Sequence, residues 1–168
     1  MKSIRTKDIV MLALLIGLNI VFSRLVSISA WNFKISLTFP TLLVAGYLYG
    51  PLGGALVGGV GDLIGSLAFP IGAYNPLFTV TAVLSGLIFG IFHYNNTRLL
   101  NTILACIINQ ICVSLLLNTW FISIVYNASF KALLSTRIIQ AVVMLAIEFI
   151  VIRLLDPFLP RLRDMLKQ

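Results

Sequence analysis

Apolar residues fill six runs of this chain, and short polar or Pro/Gly-containing stretches separate them. Taken as helices, the runs predict spans at about 9–25, 37–49, 52–69, 77–92, 99–120 and 137–155. A helix needs about 20 mainly apolar residues to cross the hydrocarbon of a bilayer, and every run except the second approaches this length. We therefore predict an all-α integral membrane protein, with residues 1–168 forming a single domain that is a compact bundle of six transmembrane helices.

Glycine recurs in the apolar helix predicted within residues 50–79. Gly54 and Gly58 are spaced i, i+4, and so are Gly61 and Gly65. In water each glycine costs a helix roughly 1 kcal/mol relative to alanine. In lipid, small residues instead allow two helix backbones to approach closely. We expect this helix to form the packed centre of the bundle.

The composition excludes most other classes of protein. Of the 168 residues, 60% are hydrophobic and 10% are charged, and the mean hydropathy is +1.05. A soluble domain of this size cannot bury so much apolar surface. The net charge of +7 could indicate nucleic-acid binding, but the basic residues are scattered near span ends rather than clustered on one face. Cys106 and Cys112 lie in one apolar run, where we expect small core side chains rather than a disulfide or a metal site.

The distribution of basic residues predicts the orientation of the bundle. Six spans place both termini on one side, and that side holds eight Lys or Arg residues against four on the other. The positive-inside rule then makes the termini cytoplasmic and the connections 26–36, 70–76 and 121–136 external. The eight are Lys2, Arg5, Lys7, Arg98, Arg153, Arg161, Arg163 and Lys167; the four are Arg24, Lys34, Lys131 and Arg137.

The three external connections contain no acidic residue, whereas Arg24 and Arg137 lie at the outer ends of the first and sixth spans. Cations in a low-dielectric setting attract anions and hold carboxylates through charge-assisted hydrogen bonds. Aromatic side chains lie at the same level, which predicts a flat aromatic ligand that carries carboxylate. They are Trp31, Tyr74, Phe78, Trp120 and Tyr126. The alternative is an interfacial aromatic belt with snorkelling cations.

Two acids lie within the spans, Asp62 and Glu148. Ionisable groups at membrane depth are functional candidates. We expect Asp62 near mid-membrane, where it either pairs with a basic or amide group that pins the bundle, the role we favour, or contacts substrate. Glu148 either pairs inside the bundle or faces a partner protein.

Motifs of enzymes and of energy coupling are absent from the sequence. It contains no G-x-S-x-G, no H-E-x-x-H and no nucleotide-binding loop. A small membrane enzyme is therefore the least favoured function. If the chain binds and transports a ligand, the sequence shows no evident energy-coupling element of its own.

Three segments resemble the substrate-binding S components of energy-coupling factor (ECF) vitamin transporters. They read PLGGALVG at 51–58, GDLIG at 61–65 and FPIGAYNPLFT at 69–79. The pattern F-P-x-G-A-Y-x-P-x-F-T is similar to that of the folate-specific subfamily. The resemblance extends to the number of spans, the short second helix and the basic tail.

This resemblance implies a subunit that binds one vitamin outside the cell. It would associate with a transmembrane coupling subunit and two cytoplasmic ATPases, whose ATP hydrolysis would drive reorientation of the S component in the bilayer. Family members dock through small residues of the first helix, usually alanine-xxx-alanine, and Ala13 and Gly17 hold these positions here. No cofactor or metal is implied.

For a folate ligand, Arg24 and Arg137 are expected to take carboxylate or pterin oxygen, and Lys34 is a further basic candidate. Aromatic rings would stack on the ligand and amides or hydroxyls would hydrogen-bond to it. The stacking candidates are Tyr74, Phe78 and Trp120; the hydrogen-bonding candidates are Asn75, Thr79, Asn118 and Gln140.

Two other functions stay open from sequence. The ligand could be another vitamin, such as riboflavin, thiamine or pantothenate. The chain could also be a self-contained channel or carrier.

Overall fold

The structure, a computed structural model, describes residues 5–29, 34–70 and 74–167, and most of them are helical. Five helices are long and apolar enough to cross a membrane, and a short sixth helix follows. They are α1 (Thr6–Arg24), α2 (Phe39–Ala68), α3 (Pro76–His93), α4 (Leu99–Val125), α5 (Phe130–Leu155) and α6 (Leu159–Lys167). Two short antiparallel strands, β1 (Ile28–Ser29) and β2 (Lys34–Ile35), lie between α1 and α2.

Helix α2 reverses direction at Gly50. This residue has φ 75° and ψ −167°, a conformation that glycine adopts far more readily than other residues. The arms 39–49 and 51–68 therefore form two antiparallel segments, which makes six membrane segments in all. The first arm extends about 16 Å at 1.5 Å per residue, roughly half the hydrocarbon thickness.

Glycine backbones form the contact between α2 and α3. A Cβ added to Gly54 would overlap the carbonyl group of Gly86, and a Cβ on Gly86 would overlap that of Gly54. A Cβ on Gly46 would lie 2.7 Å from the Cα of Gly90. This agrees with the close packing expected of the glycine-rich helix.

The connection between α4 and α5 is shorter than the sequence predicts. Helix α4 continues to Val125 and α5 begins at Phe130, so most of the predicted loop 121–136 is helical. One residue of this turn, Asn127, has a positive φ of 49°, a left-handed conformation that asparagine tolerates better than most residues. The polar residues that follow it, such as Lys131 and Ser135, lie on the exposed face of α5. Because α5 begins at Phe130, Arg137 lies two turns inside α5 instead of at its start.

Both chain ends meet at one end of the bundle. Helix α6 lies beside the start of α1, where Arg5 Nη2 donates to the carbonyl of Leu166 at 2.6 Å. We call this end the terminal end. The opposite end, where α1 finishes and α3 begins, is called the distal end.

Candidate functional site

A partly buried ion pair joins α1 to α2 at the distal end. Arg24 is the last residue of α1, and its Nη2 lies 3.4 Å from Asp62 Oδ1 and 2.6 Å from Ser66 Oγ. The two charged side chains are 10% and 18% exposed. Asp62 and Ser66 are spaced i, i+4 and so share one face of α2. The arginine that appears unpaired in sequence is therefore paired in the fold.

Asp62 lies in the half of the second arm of α2 that is nearer the distal end. It precedes the end of α2 at Ala68 by six residues, about 9 Å of helix rise. Its level is that of Arg24 and the first turn of α3. Its depth in the membrane stays a prediction.

Hydrogen bonds continue from Asp62 to the segment that precedes α3. Thr79 Oγ1 donates to Asp62 Oδ2 at 2.8 Å, and Tyr74 Oη lies 3.2 Å from Thr79 Oγ1. Because the Thr79 proton is directed at Asp62, the Tyr74 hydroxyl donates to Thr79. We call Arg24, Asp62, Ser66, Tyr74 and Thr79 the distal network. It connects three elements through charged and hydroxyl groups.

The start of α3 fixes the position of Tyr74 and Thr79. Asn75 is the N-cap of α3, and its Oδ1 accepts from the Leu77 N–H at 2.9 Å. Pro76 follows at the first helical position, where its missing N–H costs no hydrogen bond. The Asn75 side chain thus caps the helix, a different use from the ligand contact expected of it.

A second polar group lies between α4 and α5. Arg137 is 5% exposed, and its Nη2 donates to the carbonyl of Ser114 at 3.1 Å. Ser114 lies in a π-helical stretch of α4, Asn109–Leu117. Such wide turns are uncommon and often occur at functional sites. The guanidinium is held inside the bundle, away from the rim.

The remaining predicted ligand residues are more dispersed. Asn118 Oδ1 is buried without a hydrogen-bond donor, and Gln140 is half-buried on α5. Phe78 is half-buried, whereas Trp120 is 54% exposed and contacts Phe121 at a ring-centroid distance of 5.5 Å.

Some of the predictions fall on parts of the chain that the structure does not describe. Trp31 lies outside the described residues, as do positions 71–73 of the 70–76 connection. Lys34 is described only through its backbone in β2.

The distal network includes a residue that sequence reasoning missed, Ser66. Its signal was available, since it stands one helical turn after Asp62 on a helix that was already singled out. Sequence reasoning also missed Thr41, whose Oγ1 accepts a hydrogen bond from Asn19 Nδ2 at 2.8 Å beside the distal network.

One face of α1 is open. Ala13 and Gly17 are exposed, and a Cβ added to Gly17 would meet no other atom within 4 Å. Large apolar side chains such as Val10 and Leu14 are exposed on the same helix. A neighbouring helix could approach the α1 backbone closely at Gly17.

Comparison with known proteins gives consistent matches over most of the chain. The model of the family described as "ECF-type riboflavin transporter, S component" matches residues 3–159. A folate transporter FolT of Clostridium novyi (strain NT) is 34% identical over 142 residues, which cover 84% of this chain and 83% of the relative. A folate transporter FolT of Leuconostoc mesenteroides subsp. mesenteroides is 29% identical over 150 residues, 85% of this chain and 80% of the relative.

The fold also matches a solved structure. The crystal structure of FolT bound with folic acid aligns with a TM-score of 0.81 and 32% identity, covering 87% of this chain and 89% of that one. The helical membrane fold predicted from sequence is thereby confirmed.

Proposed function

Because this chain belongs to the family of ECF-type transporter S components, we propose that it is the folate-binding S component of such a transporter. It is a multi-pass membrane protein and a transport subunit rather than an enzyme. The observation that carries the proposal is the match, over more than four fifths of the chain, to proteins named for folate transport.

The family description and the relatives point to different vitamins, which makes riboflavin the second candidate. The matched model carries riboflavin in its description, whereas both relatives and the solved structure carry folate or folic acid in theirs. Folate has a flat pterin ring and a glutamate tail with two carboxylates. Riboflavin is flat but carries no carboxylate, so the partly buried cation Arg24 favours folate.

We assign the ligand to the distal end. Arg24 would donate to a carboxylate or to pterin oxygen, and Tyr74 and Phe78 would contact the rings. Arg137, Gln140 and Asn118 would present polar groups from α4 and α5, with Lys34 and Trp120 as further candidates. Asp62 and Thr79 would hold Arg24 and Tyr74 in position.

Direct titration separates the two vitamins. Protein purified in detergent and stripped of ligand is expected to show quenched tryptophan fluorescence on addition of folate at submicromolar concentration. It should bind riboflavin, thiamine and pantothenate at least about 100-fold more weakly, because riboflavin and thiamine offer no carboxylate to Arg24 and pantothenate offers no aromatic ring to Tyr74 and Phe78. Tighter binding of riboflavin than of folate would refute the folate assignment and leave the family unaffected.

Partner subunits would supply the driving force for uptake. We propose association with a transmembrane coupling subunit and two cytoplasmic ATPases, with both termini of this chain in the cytoplasm. Liposomes that contain this chain alone are then expected to accumulate no folate. Concentrative uptake by the chain alone would support the self-contained carrier instead.

The open face of α1 is proposed as the docking surface for the coupling subunit. Ala13→Leu or Gly17→Leu is expected to reduce uptake by the assembled transporter at least about tenfold while folate affinity stays within about twofold, since the added side chains keep helices apart without touching the distal network. Uptake of radiolabelled folate and equilibrium binding measure the two effects.

Ala146→Leu provides the matched control, because Ala146 is an exposed small residue of α5. It should leave both quantities unchanged. Equal loss of binding and uptake in the Gly17 variant would show that this position supports the bundle itself.

A further inference from the structure

Glu148 is a buried carboxyl group that the proposed function does not use. It lies on α5 and is 2% exposed. Seven residues separate it from the end of α5 at Leu155, about 10 Å from the terminal end. It is therefore in the opposite half of the bundle from the distal network.

The partners of this carboxyl group are amides. Asn109 Nδ2 donates to Glu148 Oε1 at 3.0 Å, and the Gln110 amide interacts with the same carboxyl. Asn109 and Gln110 are 6% and 3% exposed, and they open the π-helical stretch of α4. The wider π-helical turn allows two consecutive side chains to face one group on α5.

No basic side chain among the described residues forms an ion pair with Glu148. Arg137 stands eleven positions earlier on the same helix, about 16 Å away along its axis. Arg153 is paired with Asp156 at 2.9 Å. A carboxylate at membrane depth without a counter-charge is strongly unfavourable.

Acceptor atoms exceed donor atoms in this cluster. Glu148 Oε2, Asn109 Oδ1 and Gln110 Oε1 are all buried without a hydrogen-bond partner. Buried polar atoms are normally satisfied. One added proton would satisfy at most one of these three oxygens, whereas a cation accepts several oxygen ligands at once.

We propose that Glu148, Asn109 and Gln110 form a binding site for a monovalent cation of the Na⁺ type, between α4 and α5. Oxygen ligands suit hard cations, and backbone carbonyls of irregular helices coordinate Na⁺ in other membrane proteins. A single carboxylate balances a single positive charge, so the occupied site is neutral in a low-dielectric setting. In the described chain no cluster of three His, Cys, Asp or Glu residues lies together, which argues against a divalent or transition metal.

Cation-dependent thermal stability tests the proposal without reference to the vitamin. Melting of the ligand-free protein is followed in NaCl, KCl and choline chloride at one ionic strength. We expect Na⁺ to raise the Tm of the wild type by roughly 3–6 °C once its concentration exceeds the Kd about tenfold. Equal Tm values in the three salts would overturn the proposal and identify Glu148 as a neutral acid.

Variants locate the effect. Glu148→Gln is nearly isosteric and is expected to abolish the difference between NaCl and choline chloride, and Asn109→Ala to reduce it. Thr102→Val is the matched control, because Thr102 is also fully buried on α4 but bonds to His93 at 3.2 Å; it should keep the full Na⁺ response. An undiminished Na⁺ response in Glu148→Gln would place the cation elsewhere and refute the site.

Discussion

Arg24→Ala is expected to weaken folate binding by at least about 100-fold. Removing one member of a buried charge pair costs roughly 3–5 kcal/mol, and here the loss has two parts. The ligand loses its guanidinium donor, and the Asp62 carboxylate is left uncompensated beside an anionic ligand. Equilibrium titration with folate on the purified variant measures the effect. Affinity at the wild-type level would show that Arg24 serves only the bundle.

Companion variants separate charge from geometry at this pair. Arg24→Lys keeps the charge but replaces the planar guanidinium, whose Nη2 contacts both Asp62 and Ser66, so we expect a loss of about tenfold. Asp62→Asn releases Arg24 from its position, and we again expect about a tenfold loss. If Asp62 acts through Arg24, the double variant Arg24→Ala/Asp62→Asn binds no more weakly than Arg24→Ala alone. Additive losses would instead indicate that Asp62 contacts the ligand itself.

Gly54→Ala is expected to destabilise the protein strongly, although it adds only one methyl group. The new Cβ would overlap the carbonyl group of Gly86 on α3. Backbone atoms cannot change rotamer, so α2 and α3 must separate, at a cost of about 3 kcal/mol or more. We expect a Tm lower by roughly 6–12 °C, if the variant is recovered from membranes at all.

Gly17→Ala is the matched control for this substitution. It adds the same methyl group to another membrane helix, where no atom lies within 4 Å. Its Tm should be unchanged or slightly higher, because alanine is the better helix former. If both variants melt at the same temperature, the glycine contact between α2 and α3 contributes nothing to stability.

Apolar periodicity and glycine placement can be read from short stretches of sequence, and these two features were sufficient to predict much of the fold. The reversal at Gly50, the short arm before it and the close contact of α2 each follow from residues that adjoin in sequence. The bundle type was confirmed by comparison with a solved structure.

The distal network required information that is not local. Arg24 and Asp62 are 38 positions apart, and nothing in either neighbourhood shows that α1 and α2 pack in parallel at that level. Arg137 was misplaced for a related reason: an aromatic, an amide and hydroxyl residues near Asn127 are typical of a loop, but tertiary contacts extend both helices into them. Binding roles for Arg24, Lys34, Arg137 and Trp120 stay predictions.

The short first arm of α2 has a consequence for hydration. It begins near the level of Asn19 and Gly61, and Gly61 stands about two turns before the end of the second arm. Irregular backbone at such depth is tolerated only against protein or water. Residues 25–29 and 34–38, the described part of the link between α1 and α2, therefore require protein or water around their backbone rather than acyl chains.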